Sequence, residues 1–297
     1  MHKARVIVAV MTVGAVVGLS ACGGHDQPSV APPSSTGAVS GGVRYAHLGD
    51  SYAAGSGIDR IIEDSPAMCL RSQENFGQLL AARRGYVGAD FADVSCGAAT
   101  TANLTAEQYF GVPPQVDVLG PRTELVTIMI GGNDDRLFAD AVADCGSVAA
   151  GDPAGDPCRR ARGGEFDARI ADAVAPDLDD AIALLRQRAP RARIIVLGYP
   201  RLLPERGGCY PQVQIAAGDV GYMNAVGERL NTAIAAAAGR HGATYVDMWA
   251  ASVGHDACAG PDHRWIEPTR GSRIRTTAHP NAAGQRAMAD AVDRALG

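Results

Sequence analysis

The sequence predicts an α/β domain in which helices cover both faces of a central parallel β-sheet of about five strands. Two observations predict this three-layer α/β/α sandwich. Short, mainly apolar runs occur five times, and the longest of their continuous stretches, within 125–130 and 193–197, are typical of strands that are buried on both faces of a sheet. Segments with apolar residues at helical spacing lie between several of these runs, and such alternation favours a parallel sheet between two helical layers.

Each element follows from its local pattern. The predicted helix at 167–188, for example, has apolar residues three or four positions apart, which places them on one helical face. The predicted strands span residues 43–48, 91–95, 125–130, 193–197 and 243–248, and the predicted helices 75–84, 167–188, 221–240 and 282–296. Since such sheets place their sites at the carboxyl ends of the strands, catalytic residues are expected there.

The N-terminus has the pattern of an export signal. A short basic stretch precedes the apolar residues 6–19, which are too few to cross a bilayer as a mature helix. We therefore predict a signal peptide at residues 1–21. Its end, Leu19-Ser20-Ala21-Cys22, resembles the lipobox of bacterial lipoproteins, which implies lipidation of Cys22 and a membrane anchor outside the cytoplasm. The alternative is an ordinary secreted protein with an incidental cysteine.

Composition divides the remaining chain into a tether and a domain. Residues 22–42 are rich in glycine, proline and serine, which predicts a flexible linker behind the lipidated cysteine. Residues 43–297 form the predicted domain, with no internal repeat and no second linker. The formal charge of −5 gives no support for binding nucleic acid, which favours a basic stripe. We expect a monomer.

Six further cysteines indicate disulfide bonds, because an even number in an exported chain is typical of complete pairing. Neighbour pairing is the simplest of the many possible connectivities. A metal site is the alternative, since two histidines lie near the last cysteine, but the chain has no CxxC pair and no HExxH motif, so we expect no metal. The predicted pairs are Cys69–Cys96, Cys145–Cys158 and Cys209–Cys258.

Two segments at strand ends carry the first candidate catalytic residues. Ser51 follows the first strand in Gly49-Asp50-Ser51, as a nucleophile on a strand-to-helix turn does. Gly97 follows the second strand. Taken alone, the first segment also fits a helix cap and the second a tight turn.

Two later segments add an amide and an imidazole. The third strand ends at Gly131-Gly132-Asn133, where the Asn133 amide can donate to an oxyanion, or else cap a helix. His279 lies directly before Pro280, a residue suited to a helix start, and thus at the mouth of the last helix.

The four segments, in this order, resemble the blocks of the SGNH hydrolase family, also called GDSL esterases and lipases. The resemblance covers residues 49–284 and implies the flavodoxin-like SGNH hydrolase fold. It implies Ser51 as nucleophile and His279 as general base. The N–H groups of Ser51 and Gly97 and the amide of Asn133 would form the oxyanion hole. No metal or organic cofactor is implied.

The cysteines and the segment Trp265-Ile266-Glu267-Pro268 resemble the secreted actinobacterial esterase and lipase branch of this family. One position departs from the common pattern, because Thr276 stands where many members have a triad aspartate. In similar secreted enzymes a backbone carbonyl near this position orients the histidine, which points to Thr276 or Thr277. A distant acid, Glu267 or Asp262, is the alternative.

The remaining titratable residues near these segments have simpler interpretations. His47 lies within the first strand and is expected to pack or form hydrogen bonds there, while His241, His255 and His263 fall in helix ends or loops. Asp50 adjoins Ser51, but adjacent residues at a strand end point to opposite sides, so we expect it to bond nearby backbone.

These features predict a serine esterase or lipase that acts on lipids or on acylated components of the cell envelope. A deacetylase or acyltransferase that uses the same serine on an acylated glycan is the first alternative, and a binding lipoprotein with an inactive site is the second. The insert at 140–164 and the loop at 202–216 are expected to shape the acyl pocket.

Overall fold

The central sheet has five parallel strands, as the sequence predicts. The computed structural model describes residues 41–297. Its strands lie side by side in the order β2-β1-β3-β4-β5, which is the flavodoxin-like order, and every residue of β1 and β3 is buried. The strands are β1 (Tyr45–Gly49), β2 (Phe91–Asp93), β3 (Leu125–Met129), β4 (Arg193–Leu197) and β5 (Thr244–Val246).

Helices cover both faces of this sheet, which confirms the predicted three-layer arrangement. In chain order they are α1 (Ser51–Ala54), α2 (Phe76–Arg84), α3 (Leu137–Ala149), α4 (Pro157–Arg162), α5 (Glu165–Arg169), α6 (Ala175–Arg188), α7 (Val220–Arg240), α8 (Met248–Ala251) and α9 (Ala282–Leu296). Helix α2 packs on α9, and α6 packs on α7. Right-handed crossovers place these two pairs on opposite faces, because β2 lies to one side of β1 and the later strands to the other.

The predicted helix at 167–188 is longer and less regular than its sequence pattern indicates. It begins with α5, continues through a π-helical turn at Ile170–Val174 and ends with α6. Buried residues follow one another along all three parts, so the apolar face is continuous although the hydrogen-bond pattern changes.

The segment treated as an insert at 140–164 contains helical structure that the sequence analysis missed. Helix α3 begins before it, and α4 lies within it. The sequence does carry a helical pattern here, because apolar or small residues occupy every fourth position of α3. All four are buried: Leu137, Ala141, Cys145 and Ala149. Alanine and cysteine are small, so this stripe is less conspicuous than a stripe of leucines.

Three disulfides join the neighbouring cysteines, as predicted. One ties the loop after β2 to the segment that precedes α2, one joins α3 to α4, and one links the segment after β4 to the segment after α8. The pairs are Cys69–Cys96, Cys145–Cys158 and Cys209–Cys258, with sequence separations of 27, 13 and 49 residues.

The predicted signal peptide at residues 1–21, the lipidation site Cys22 and nearly all of the predicted linker lie outside the described residues. Within residues 41–297, no helix has the length and apolar character needed to cross a bilayer.

Removal of a disulfide is expected to lower the free energy of unfolding, and to lower it more when the closed loop is longer. Chain entropy predicts a loss of about 4 kcal/mol in the free energy of unfolding for Cys209→Ser/Cys258→Ser, and ~3 kcal/mol for Cys145→Ser/Cys158→Ser, whose loop is shorter. Urea denaturation of each double variant beside the wild type measures both values. An equal loss in the two variants, or none, would contradict loop closure as the source of stability.

Candidate active site

Ser51 lies at the carboxyl end of β1, as the first residue of α1. Asp50 caps this helix, because its carboxylate accepts a hydrogen bond from the Tyr52 N–H at 2.9 Å. Gly49 allows the turn: it has a φ of +129°, and a Cβ there would overlap the carbonyl of Met129 on β3. A short strand-to-helix turn thus presents the serine hydroxyl at the sheet edge.

His279 lies across from Ser51, just before α9. Its Nε2 is 2.7 Å from Ser51 Oγ, and its Nδ1 is 2.8 Å from the carbonyl oxygen of Thr277. A carbonyl only accepts hydrogen bonds, so Nδ1 carries the proton and Nε2 is free to accept one from the serine hydroxyl. The backbone of Thr277 therefore selects the tautomer that a general base requires.

The imidazole is partly buried against an aromatic ring. The ring of Tyr52 lies 4.8 Å from that of His279, and the Tyr52 hydroxyl donates to the Ala278 carbonyl at 2.6 Å. Burial lowers the pKa of His279 to about 4, and the bond to the Thr277 carbonyl offsets only part of this change. His279 is therefore neutral at neutral pH, the state in which it can take a proton.

Glu267, one of the two acids considered for a triad, does not contact the imidazole. Its buried carboxylate accepts from Arg264 at 2.6 and 3.1 Å, from the Asn281 amide at 3.0 Å and from the Arg273 N–H at 2.7 Å. Burial opposes its ionisation, but these bonds prevail and lower the pKa of Glu267. Its own N–H donates to the His279 carbonyl at 2.9 Å, so Glu267 holds the histidine loop through the backbone.

The other residues considered as supports of His279 lie elsewhere. Asp262 is exposed and faces Arg273. Thr276 packs against Gly57. Within residues 41–297, neither its hydroxyl nor its backbone carbonyl bonds the imidazole. Of the candidates named from sequence, only the Thr277 carbonyl contacts Nδ1.

The possible oxyanion donors follow the carboxyl ends of the adjacent strands β1, β2 and β3. Asn133 Nδ2 donates to the Ala99 carbonyl at 3.0 Å, which fixes the amide beside the segment after β2 and leaves its second hydrogen available. The next residue, Asp134, accepts from the Thr101 N–H at 2.8 Å and strengthens the same connection. The Ser51 N–H has no acceptor within residues 41–297.

Gly97, the predicted second donor, has its N–H in another bond, to the Cys69 carbonyl at 2.9 Å. The following N–H, of Ala98, has no acceptor in the described portion of the chain. Ala98 also has a φ of +63°, a conformation that is uncommon for a residue with a side chain and often marks functional segments. Within residues 41–297 the Ala98 N–H is therefore unbonded, whereas the Gly97 N–H is already in use.

A series of hydrogen bonds behind Ser51 links the carboxyl ends of β1, β3 and β4. The Tyr199 hydroxyl, just after β4, accepts from the Gly132 N–H at 2.9 Å and donates to the Asp50 carboxylate. Burial raises the pKa of Asp50 to about 7, although its hydrogen bonds oppose the rise. Asp50 thus bonds nearby backbone, as predicted, but the sequence offered no signal for its partner Tyr199, 149 residues away.

Three of the other four histidines of residues 41–297 have side-chain partners, and His263 is exposed. His47 is fully buried and contacts the Thr127 hydroxyl and the Ala53 carbonyl, while burial lowers its pKa. His241 bonds Asp179, and His255 stacks on Trp265 with the ring centroids 4.0 Å apart. None of them competes with His279 for the serine.

Comparisons with known proteins show the family to which the chain belongs. The family model of the GDSL-like lipase/acylhydrolase family matches residues 47–287. Lipase 2 of Streptomyces coelicolor is 42% identical over 294 residues, which cover 96% of this chain and 95% of that protein. A lipase of Streptomyces rimosus is 31% identical over 81% of this chain and 82% of its own length.

Solved structures show the same fold. Phospholipase A1 from Streptomyces albidoflavus NA297 superposes with a TM-score of 0.71 at 29% identity, over 86% of this chain and 99% of that one. The extracellular lipase from Streptomyces rimosus gives a TM-score of 0.71 at 28% identity, over 85% and 99% of the two chains. This chain therefore belongs to the GDSL-like lipase/acylhydrolase family of carboxylic ester hydrolases.

Proposed function

We propose that the protein hydrolyses lipid esters with Ser51 as nucleophile and His279 as general base, in a dyad that has no third side chain. The observation that carries the proposal is the 2.7 Å contact between His279 Nε2 and Ser51 Oγ, with Nδ1 bound to a carbonyl. Hydrolysis of p-nitrophenyl esters by the wild type and by Ser51→Ala tests it directly.

In the first half of the reaction, Ser51 Oγ bonds to the ester carbonyl carbon while His279 Nε2 takes the hydroxyl proton. The tetrahedral intermediate then collapses, the ester C–O bond breaks, and the imidazolium returns its proton to the departing alcohol. In the second half, water adds to the acyl-enzyme with Nε2 as base. The acid leaves, and Ser51 Oγ regains a proton.

Negative charge on the tetrahedral oxygen needs preorganised donors. The Ser51 N–H, the Ala98 N–H and the Asn133 amide serve this purpose, since all three adjoin the serine or the segment after β2 and have hydrogens to spare. Ala98 takes the place of the predicted Gly97, whose N–H is already bonded. One donor of this kind typically contributes a factor of about 10²–10³ to kcat.

The enzyme works outside the cytoplasm. Three disulfides fit an oxidising compartment, and the solved relative from Streptomyces rimosus is an extracellular lipase. The lipobox-like ending at Cys22 supports lipidation of that residue and retention at the membrane. Stable anchoring then depends on more than one acyl chain, because a single chain binds a membrane only marginally.

The dyad predicts a specific pattern of losses. Ser51→Ala and His279→Ala should each lower kcat on p-nitrophenyl acetate by about 10⁴-fold or more, since the two groups act as a unit. Thr277→Ala should retain activity within roughly tenfold, because the carbonyl that orients the imidazole survives the substitution.

Asp262→Asn and Glu267→Gln are the controls for a hidden acid. Loss of the acid of a true triad costs about 10⁴-fold in kcat. A loss of kcat of that size in Asp262→Asn, or in a Glu267→Gln protein that still folds, would show that the acid is the third member of a triad. We expect Asp262→Asn to behave as wild type, and Glu267→Gln to lower thermal stability because Arg264 loses its buried partner.

The pH dependence should reflect the buried imidazole. Only neutral His279 accepts the serine proton, and its pKa is lowered to about 4, so kcat/KM should stay level as pH falls through 6.5 and decline only near pH 4. Asp50→Asn is the control, because Asp50 titrates at about 7 behind the serine. An acid limb centred at or above 6.5 that persists in Asp50→Asn would contradict the lowered pKa.

Anchoring is tested at the cysteine itself. Cys22→Ser should shift the protein from the membrane to the soluble fraction, or block its processing, because no thiol remains for acylation. Ser20→Ala is the matched control, since it keeps a small residue at its position and should remain with the membrane. Membrane association of Cys22→Ser equal to that of the wild type would refute the anchor.

A further inference from the structure

The loop that carries His279 contains a residue in a costly backbone conformation. Ala278, the residue before His279, is 5% exposed and has a φ of +57°, in the left-handed region that residues with a side chain seldom adopt. This φ is the rotation about the bond that follows the peptide group of Thr277 and Ala278. It therefore sets the direction of the Thr277 carbonyl, which accepts from His279 Nδ1 at 2.8 Å.

One side chain holds Ala278 in this conformation. The Tyr52 hydroxyl donates to the Ala278 carbonyl at 2.6 Å, and this carbonyl has no other donor within residues 41–297. Burial raises the pKa of Tyr52, so the hydroxyl keeps its proton and remains a donor at neutral and mildly alkaline pH. Rotation of Ala278 into a more common conformation would break this bond, and the bond thus offsets the cost of the left-handed conformation.

Tyr52 is itself held from several directions. Its N–H donates to the Asp50 carboxylate at 2.9 Å, and its carbonyl accepts from the buried amide of Gln285 on α9 at 2.8 Å. Its ring packs on those of Phe138 and Tyr199, at centroid distances of 6.0 and 5.2 Å. The hydroxyl therefore has a fixed position relative to the start of α1, where the nucleophile lies.

The bond from Glu267 to the histidine loop does not replace this support. The Glu267 N–H donates to the carbonyl of His279 at 2.9 Å and so restrains the peptide group after the imidazole. The Tyr52 hydroxyl restrains the peptide group before it. The two bonds act on different peptide groups, and the Glu267 bond alone leaves the Thr277 carbonyl free to turn.

We propose that Tyr52 is a positioning residue for the general base. Its hydroxyl holds Ala278 in the left-handed conformation and so keeps the Thr277 carbonyl on the Nδ1 atom of the imidazole. The inference rests on the proposed function, since it explains how the dyad obtains its tautomer. Without the hydroxyl, Ala278 also populates commoner conformations in which the carbonyl turns away and Nε2 carries the proton. That tautomer does not accept the proton of Ser51.

Tyr52→Phe removes the hydroxyl and keeps the ring. We expect kcat on p-nitrophenyl acetate to fall by about tenfold, the scale of one buried hydrogen bond. KM should stay within about twofold, because the base serves both halves of the reaction and both slow by the same factor.

Tyr45→Phe is the matched control. It also removes a buried hydroxyl, which bonds the Thr127 hydroxyl at 2.9 Å, but Tyr45 lies at the amino end of β1, away from the dyad. This variant should keep the wild-type kcat. No loss of kcat in Tyr52→Phe, or an equal loss in the two variants, would overturn the proposal.

Ala278→Gly provides a rescue that a purely structural hydroxyl would not show. Glycine adopts the left-handed conformation without steric cost, so the loop depends less on the hydroxyl of Tyr52. In the Ala278→Gly background, Tyr52→Phe should lower kcat by about threefold or less, against about tenfold in the wild-type background. An equal or larger loss in the Ala278→Gly background would contradict the role given to this conformation.

The tautomer of His279 provides a measurement that does not depend on activity. Protonated and bare ring nitrogens have different nitrogen chemical shifts, which NMR resolves at a pH where the imidazole is neutral, and loss of the signals in His279→Ala assigns them. Wild type and Tyr45→Phe should carry the proton on Nδ1, and Tyr52→Phe should show both tautomers. An unchanged Nδ1–H tautomer in Tyr52→Phe would overturn the proposal.

The two measurements separate this proposal from the proposed function. Wild-type protein that hydrolyses no ester, with a tautomer that still changes in Tyr52→Phe, would overturn the function and support the positioning role. Wild-type protein that hydrolyses esters, with neither kcat nor the tautomer changed in Tyr52→Phe, would overturn the positioning role and leave the dyad intact.

Discussion

The geometry of the active site depends on one buried ion pair. Glu267 and Arg264 neutralise each other next to the loop that carries His279, and the Glu267 N–H donates to the carbonyl of His279. Buried pairs of this kind lose much stability when one partner is removed, so the loop has one strongly preferred conformation. That conformation places the Thr277 carbonyl against Nδ1. An acid thus supports the base indirectly, as part of the scaffold.

A carbonyl in place of a triad carboxylate has consequences for the base. It selects the tautomer, but it brings no full negative charge to raise the basicity of the imidazole. Burial against Tyr52 therefore dominates and lowers the pKa of His279. His279 thus stays neutral down to low pH, and in the proposed mechanism its imidazolium would have less charge stabilisation than in an Asp-His pair.

The helix cap of Ser51 and the ring beside His279 share one support. The Tyr199 hydroxyl donates to Asp50 behind the serine, while the Tyr199 ring packs on Tyr52 with the ring centroids 5.2 Å apart. One side chain thus joins the cap of α1 to the aromatic ring that contacts His279. Two strand ends that are adjacent in the sheet but far apart in sequence make this arrangement possible.

The sequence alone determined the strands and most helices, because apolar periodicity is local, while its short motifs and its cysteine count gave Ser51, His279 and the neighbour pairing of cysteines as expectations. Only the tertiary structure decided between Thr277 and Glu267 as the partner of Nδ1, and revealed that Ala98 has a free N–H where Gly97 does not. These outcomes depend on which backbone groups meet across the fold. Ser51 and His279 themselves are 228 residues apart, and a local sequence pattern does not show that two such distant residues are in contact.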